Sequence, residues 1–349
     1  MIQDAYNLDT LQGLVKLTKR IIKGTILVES VGSVFFMFRF IPDYGVIKGI
    51  AISIFTSISA FCNAGIDLIG DSSLQPYQLS PLINITTMLL IIIGGIGFPV
   101  WWDLLATARR RCVDGLKRKV VCRKMELHTK VVLTMTLILI LGGAILTFAL
   151  EYNNNETIGG MSLGNKVMAS FFQSVTTRTA GFFTISQGQM HESTSFISII
   201  LMFIGGSPSG TAGGIKTVTV AILVMSLWCS IRNKQDVEIY KRQVTDSFVK
   251  KSISVFGLSF LVLIGSTLAL TITEQARFID ILFEATSAIG TVGLTRGITS
   301  ELTAIGKIII IITMYLGRIG PITLALAFNT RKRQKSKGRK LPTDKIMVG

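Results

Sequence analysis

The sequence predicts an all-α membrane protein made of three repeats. Each repeat is a membrane helix, a short re-entrant helix, an extended glycine loop and a second membrane helix, giving six spans and three re-entrant helices. Two observations carry this expectation. The 349 residues are 49% hydrophobic and only 16% charged, with a mean hydropathy of +0.56, which is too apolar for a soluble chain of this size. A motif of a Phe, nine residues and a Gly also occurs three times, as Phe55-TSISAFCNA-Gly65, Phe171-FQSVTTRTA-Gly181 and Phe283-EATSAIGTV-Gly293. The glycines are 116 and 112 residues apart, and a near-constant period is the signature of a repeat architecture.

In chain order, residues 1–20 are polar and lack the apolar core of a signal peptide. Spans are expected near 22–41, 81–106, 131–150, 195–229, 252–273 and 303–329. Residues 131–150 carry no charge, and that many residues at ~1.5 Å each cover a ~30 Å hydrocarbon core. The first span should end near Arg39–Pro42. The amphipathic stretch 50–62 is too short to cross, so it should dip in and return, which is tolerated only where backbone lines a wet cavity or is buried in protein. The second span contains Gly94-Gly-Ile-Gly-Phe-Pro99. The third re-entrant helix, about 277–289, leads to Thr291–Leu294. These units divide the chain into 1–110, 111–230, 231–330 and a basic, polar tail at 331–349.

The net charge of +16 does not indicate nucleic acid, because the charge is segregated. Of 36 Lys and Arg, four lie in 1–24, nine in 108–130, six in 231–251 and eight in 331–345, whereas 151–165 has none. This is the positive-inside pattern of a multi-pass cell-membrane protein with both termini cytoplasmic, and the polybasic tail suits contact with anionic lipid. Cys62, Cys112, Cys122 and Cys229 have no metal-type spacing, and Cys112 and Cys122 should be reduced thiols. His128 and His191 stand alone. No nucleophile–base pair, paired carboxylates or phosphate-binding loop points to an enzyme, and no cofactor is expected.

The chemistry lies in three places. The first is the set of glycine loops. Thr291-Val-Gly-Leu294 resembles the TVGYG filter of potassium channels, where backbone carbonyls replace an ion's hydration shell. The candidate ion-binding residues are Asn63, Ala64, Gly65, Thr179, Ala180, Gly181, Thr291, Val292 and Gly293, since Gly accepts positive φ and lets carbonyls converge. The alternative is that each Gly permits a tight turn after a buried helix. The second place is Gly205-Gly-Ser-Pro-Ser-Gly-Thr-Ala-Gly-Gly214 followed by Lys216. It cannot stay helical, because Gly costs ~1 and Pro ~3 kcal/mol each in a helix. Unwound backbone at membrane depth lines ion paths, so Gly205, Gly206, Ser207, Pro208, Gly210, Gly213, Gly214 and Lys216 are a candidate gate. A passive kink is the other reading. The third is Arg318, 11 residues from Lys307 and 13 from Arg331. It is either an electrostatic barrier in a cation path or a structural partner of Glu29 or Glu284. Arg178 reads as an anchor of the second re-entrant helix.

GGSPSGTAGGIKT at 205–217, GRIGPIT at 317–323 and NLDTLQGLVKL at 7–17 resemble the Trk/Ktr/HKT superfamily of potassium transporters, nearest the Ktr-type membrane subunit, over essentially the whole chain. The resemblance implies a channel-like fold with filter glycines at Gly65, Gly181 and Gly293, a gating loop at 205–214 and a pore arginine at Arg318. It also implies transported K+, with Na+ stimulation, a homodimer, and a cytosolic ring of nucleotide-binding (RCK-type) regulatory subunits. That family has four repeats and this sequence has three, so the opening repeat is expected to be missing. The functional alternative is then a truncated, non-conducting remnant that keeps only dimerisation or regulatory binding.

Overall fold

The computed structural model describes residues 11–70, 72–113, 125–234 and 236–320. The polar start up to residue 10, Cys122, the side chain of Cys112, residues 321–329 of the sixth expected span and the basic tail lie outside these residues.

Eleven helices order the described residues: α1 Leu11–Tyr44, α2 Val46–Phe61, α3 Pro81–Gly95, α4 Phe98–Val113, α5 Leu127–Glu151, α6 Leu163–Thr176, α7 Glu192–Phe203, α8 Thr217–Ile231, α9 Asp246–Thr273, α10 Phe278–Gly290 and α11 Ala304–Ile319. Three of them are long and apolar enough to cross a membrane: α1 from Leu17, α5 and α9. The 25 residues of α5 reach ~37 Å. Leu137, Ile138, Leu141, Ile145 and Leu146 are exposed along it, while Val132, Thr136, Ile140, Gly143 and Thr147 are buried. The buried set recurs at three- and four-residue intervals, as for a helix with one face on protein. The exposed apolar face suits hydrocarbon.

The short helices lie inside this frame. α2 packs on α1, α6 on α5 and α10 on α9, while α3 packs on α6 and α7 on α10. Small residues permit the approach, as in membrane helix packing generally. A Cβ on Gly32 would lie 2.5 Å from Ser57 Oγ and 2.8 Å from Leu90, and one on Gly317 would run into the Ile289 carbonyl. Phe36, Phe40, Phe61, Phe172 and Phe182 fill the core between α1, α2 and α6, and Leu263, Leu270, Ile281, Ile289 and Ile310 fill that between α9, α10 and α11. α11 starts on Thr303, whose hydroxyl accepts from Gly306 N at 3.1 Å and donates to Glu274 Oε1 at 2.6 Å. The bonds from Thr303 hold the Glu274 carboxyl below its usual range.

Four expectations need correction. The sequence predicts six spans, whereas among the described residues three helices are long and apolar enough to cross, or up to four if the bent α3–α4 pair is one span. The first span does not stop near Arg39–Pro42 but continues to Tyr44, with Pro42 in its final turn and Gly45 at φ 80 ending it. The second span, 81–106, is not continuous, since α3 and α4 meet at 100°. Gly97 at φ 89 breaks the helix and Pro99 starts the next one, a position where its missing N–H costs nothing. The fold is also not purely α. Strands β1 Val237–Ile239 and β2 Arg242–Val244 pair antiparallel, Val237 opposite Val244 and Ile239 opposite Arg242. Their turn places Tyr240 and Lys241 at φ 50 and 61, the left-handed pair that suits strand twist. Ile239 packs against Val131 and Ala221. The Tyr-Lys turn lacks the Asn-Gly signal from which a hairpin is usually read.

Gly317→Ala is expected to lower the melting temperature of the detergent-purified chain, since overpacking costs ~1–3 kcal/mol. Gly257→Ala, where a Cβ meets nothing within 4 Å, should not lower it. Equal melting temperatures for the two variants would show that the α10–α11 contact tolerates a Cβ.

Candidate functional site

The three short helices α2, α6 and α10 end alike. Asn63, Thr179 and Thr291 take φ 52, 73 and 53, and two residues later Gly65, Gly181 and Gly293 take φ 66, 86 and 90. A left-handed non-glycine residue costs ~1–2 kcal/mol, so the same two departures at the same offsets in all three loops are not incidental. The loops also meet. A Cβ on Gly65 would collide with the Ala180 carbonyl oxygen and lie 2.8 Å from Gly181 Cα; one on Gly181 would collide with the Val292 carbonyl oxygen. Gly293 sees Gly181 Cα at 3.8 Å from its own Cβ position. Gly65 and Gly181 therefore each face the carbonyl preceding the next glycine, with room only for hydrogen, whereas a Cβ on Gly293 would make an ordinary contact with Gly181 Cα. Ala180 and Val292 are buried at 0% and 1% exposure, whereas Ala64 and Gly293 are exposed.

Hydroxyl groups fix these turns, and the sequence reading missed them. Ser59 Oγ accepts from Ile66 N at 3.0 Å, and Ser287 Oγ accepts from Gly293 N at 3.1 Å. Thr176 Oγ1 donates to the Phe182 carbonyl. The signal was present, since each motif copy carries a Ser or Thr five or six residues before its glycine. It was hard to weigh in segments so rich in Ser and Thr. Below the glycines, Asn63 Nδ2 approaches Thr179 Oγ1 at 3.5 Å.

Residues 204–216 link α7 to α8 without helix, turning at Pro208 and Ser209, and α3–α4, the Thr179 and Thr291 loops, and Arg318 hold them. Ile204 and Ile215 form a bridge, Gly206 N donates to Gly213 O at 3.3 Å and Thr217 N to Gly206 O at 3.0 Å. Gly205 has no room for a Cβ against the Gly213 carbonyl, and Gly214 adopts φ 64. The tip enters the break between α3 and α4. Ser207 N donates to Gly95 O at 3.0 Å, Thr211 N to Gly94 O at 3.2 Å, and Phe98 N to Ser209 O at 3.3 Å. A Cβ on Gly97 would lie 2.5 Å from Pro208 O, and one on Gly210 3.0 Å from the carbonyls of Gly94 and Gly95. The two helix breaks thus satisfy each other's orphaned backbone groups. Gly213 N donates to Thr179 Oγ1 at 3.2 Å, and its Cα side abuts Thr291 Oγ1, so the loop lies directly against residues two before the second and third glycines.

Two cations end on this loop. Lys216 Nζ donates to Ala212 O at 2.7 Å, and Arg318 Nη1 to Thr211 O at 3.1 Å. The carboxylates considered for Arg318 are engaged elsewhere: Glu284 Oε1 accepts from Thr299 Oγ1 at 2.5 Å, and Glu29 Oε1 faces Cys62 Sγ at 3.9 Å. Among the described residues no ion pair joins Arg318 to either. Arg178 is 5% exposed and donates from Nη2 to Thr136 Oγ1 of α5 at 3.3 Å, tying α6 to its neighbour.

Ser59→Ala and Ser287→Ala each remove one acceptor from a loop amide, worth ~0.5–1.5 kcal/mol. Hydrogen exchange at residues 64–66 and 292–294 respectively is expected to quicken locally. Exchange unchanged at these amides would mean the hydroxyls do not hold the turns.

A family model described as TrkH, cation transport protein, matches residues 7–338. The chain is 39% identical over 328 residues to the Ktr system potassium uptake protein B of Bacillus subtilis, covering 94% of this chain and 71% of the relative. It is 36% identical over 353 residues to the potassium/sodium uptake protein NtpJ of Enterococcus hirae, covering 100% and 75%. The crystal structure of the potassium transporter TrkH from Vibrio parahaemolyticus shares the fold, with a TM-score of 0.73 at 17% identity over 93% of this chain and 67% of that one. A match across nearly the whole length, on a helical frame with glycine loops gathered at its centre, leads to one assignment: the chain belongs to the TrkH family of cation transport proteins.

Proposed function

We propose that this chain is a membrane subunit of a potassium uptake system, and that K+ passes the carbonyls of residues 63–65, 179–181 and 291–293 as a selectivity filter. α2, α6 and α10 then serve as pore helices of three channel-like repeats. The observation that carries the reading is the matched backbone of the three loops, left-handed at the glycine and again two residues earlier, with Gly65 and Gly181 each against the next loop's carbonyl. Convergent carbonyls with no side chain between them are what a dehydrated monovalent cation needs. The relatives' names support K+ as cargo, and NtpJ's name supports Na+ as a second cation.

Residues 205–214 act as the gate, since the loop abuts Thr179 and Thr291 at one end of the filter. Arg318 and Lys216 hold it through the Thr211 and Ala212 carbonyls, and their charge raises the energy of a cation beside them. The segregated basic blocks support cytoplasmic termini in the cell membrane. The word "system" in the relatives' names supports a separate regulatory partner on that basic face, with a second copy of this chain as the other partner.

In a host lacking potassium uptake, Gly181→Ser and Gly293→Ser are expected to raise the K+ concentration needed for half-maximal uptake and weaken preference over Na+, because a Cβ penalises positive φ at both and at Gly181 also displaces the Val292 carbonyl. Unchanged affinity and preference in both would sink the filter reading.

Arg318→Gln should raise maximal flux, since the loop loses a charged donor and the path a positive charge, with Arg318→Lys nearer to wild type. Normal flux with a lower melting temperature would instead assign Arg318 a packing role.

A further inference from the structure

Arg296, three residues beyond Gly293, was not singled out by the sequence and is absent from the filter and the gate. Its side chain is 6% exposed. Nε donates to Asp280 Oδ1 at 2.5 Å, in the first turn of α10. Nη1 faces Gln187 O at 3.1 Å, Met190 O at 3.4 Å and Ser195 Oγ, and Nη2 faces Gly188 O at 3.3 Å. A planar guanidinium presents five donors in a fixed fork, and here Nε and both terminal nitrogens are engaged. Asp280 belongs to the third unit, whereas residues 187–195 belong to the second.

The contact is built on both sides. A Cβ on Gly188 would lie 2.9 Å from the Arg296 carbonyl, so the two backbones are closely apposed there. Gln187 is itself anchored to α6, with Gln173 Nε2 donating to Gln187 Oε1 at 2.7 Å and Gln187 Nε2 to Gln173 Oε1 at 3.0 Å. A polar chain thus runs from α6 through Gln173, Gln187 and Arg296 to Asp280 on α10. It joins the two short helices that carry Gly181 and Gly293, across the segments that leave those glycines. Ser195 lies in the first turns of α7, whose other end leads into the 204–216 loop.

We infer that Arg296 is a positioning residue for cation discrimination. It fixes the spacing between the second and third glycine loops by clamping the outgoing arm of one to the outgoing arm of the other. The inference rests on the filter reading above. A hydrophobic contact would permit sliding, whereas a buried fork on backbone carbonyls of one unit and a carboxylate of the other fixes both distance and orientation.

The test uses the purified full chain and two probes, KCl and NaCl, with choline chloride as the ion-free reference. Thermal protection is titrated with each salt for wild type, Arg296→Gln, Arg296→Lys and Asp280→Asn. Wild type is expected to be half-protected at a lower KCl than NaCl concentration. Arg296→Gln and Asp280→Asn should shrink that ratio by about tenfold, the scale of losing a charge-assisted bond, with Arg296→Lys in between. A variant that melts earlier in choline chloride but keeps the wild-type ratio would show Arg296 to be structural only and overturn the inference. A wild type with no difference between the salts would overturn the filter reading itself, a distinct outcome. If Arg296→Gln fails to fold, Asp280→Asn and Ser195→Ala, each removing a single contact, carry the same comparison; an unchanged ratio in both overturns the inference.

Discussion

Backbone amides and carbonyls that leave helical geometry inside a membrane have no water to turn to, and each costs several kcal/mol if left unpaired. Among the described residues, those that leave helical geometry include the three glycine loops, the Gly95–Phe98 break and residues 204–216. The arrangement of the core follows from how those groups are paired. The Gly95–Phe98 break and the tip of the 204–216 loop pair with each other, Ser207 N and Thr211 N to Gly95 and Gly94, and Phe98 N back to Ser209 O. Neither would be tolerable alone at that depth. The broken α3–α4 unit and the broken α7–α8 unit are consequently one device, although the residues they bond, such as Gly95 and Ser207, lie 112 apart in sequence.

The same constraint shapes the glycine loops. Their amides are partly met by Ser59 and Ser287 hydroxyls and by carbonyls of the helix just left. The carbonyls at Ala180 and Val292 instead face the glycine of the preceding loop, where no donor awaits them. In the filter reading proposed above, carbonyls left free beside paired amides are the oxygens that a cation stripped of its water would use.

Charge is used sparingly in the same region. Lys216 and Arg318 are spent on carbonyls of one loop. Arg178 and Arg296 tie short helices to their surroundings from opposite ends of the second and third glycine loops. Each cation is placed where protein oxygen receives it: backbone carbonyls for Lys216 and Arg318, the Thr136 hydroxyl for Arg178, and carbonyls together with the Asp280 carboxylate for Arg296. Outside this centre the outer faces of α5, α9 and α11 are apolar and exposed, which suits hydrocarbon and demands no partner.

The sequence by itself determined the class of protein, the approximate place of the three long helices α1, α5 and α9, the short helices before the three glycines and the unwound stretch near 205–214, but not the number of long helices, since it predicts six spans. Those features are local: uninterrupted apolar runs, a repeated Phe-to-Gly spacing, and Gly and Pro where a helix cannot persist. Gly65, Gly181 and Gly293 were legible because a glycine requirement at matched spacing leaves a mark in one dimension. What only the tertiary structure decided is which groups meet. The interlocked breaks, the choice of Thr211 O rather than Glu29 or Glu284 for Arg318, and the clamp of Arg296 on Gln187 and Asp280 join residues about 100 or more apart, or select among several partners of equal chemistry. The bend at Gly97 and the Tyr240–Lys241 hairpin belong here too. Their local signals were weak, and it is packing against Pro208 and against Val131 and Ala221 that stabilises them. Periodicity and composition record which faces are buried, but hydrogen-bond partners are fixed only when the helices have docked and every buried polar group has competed for the same few donors and acceptors.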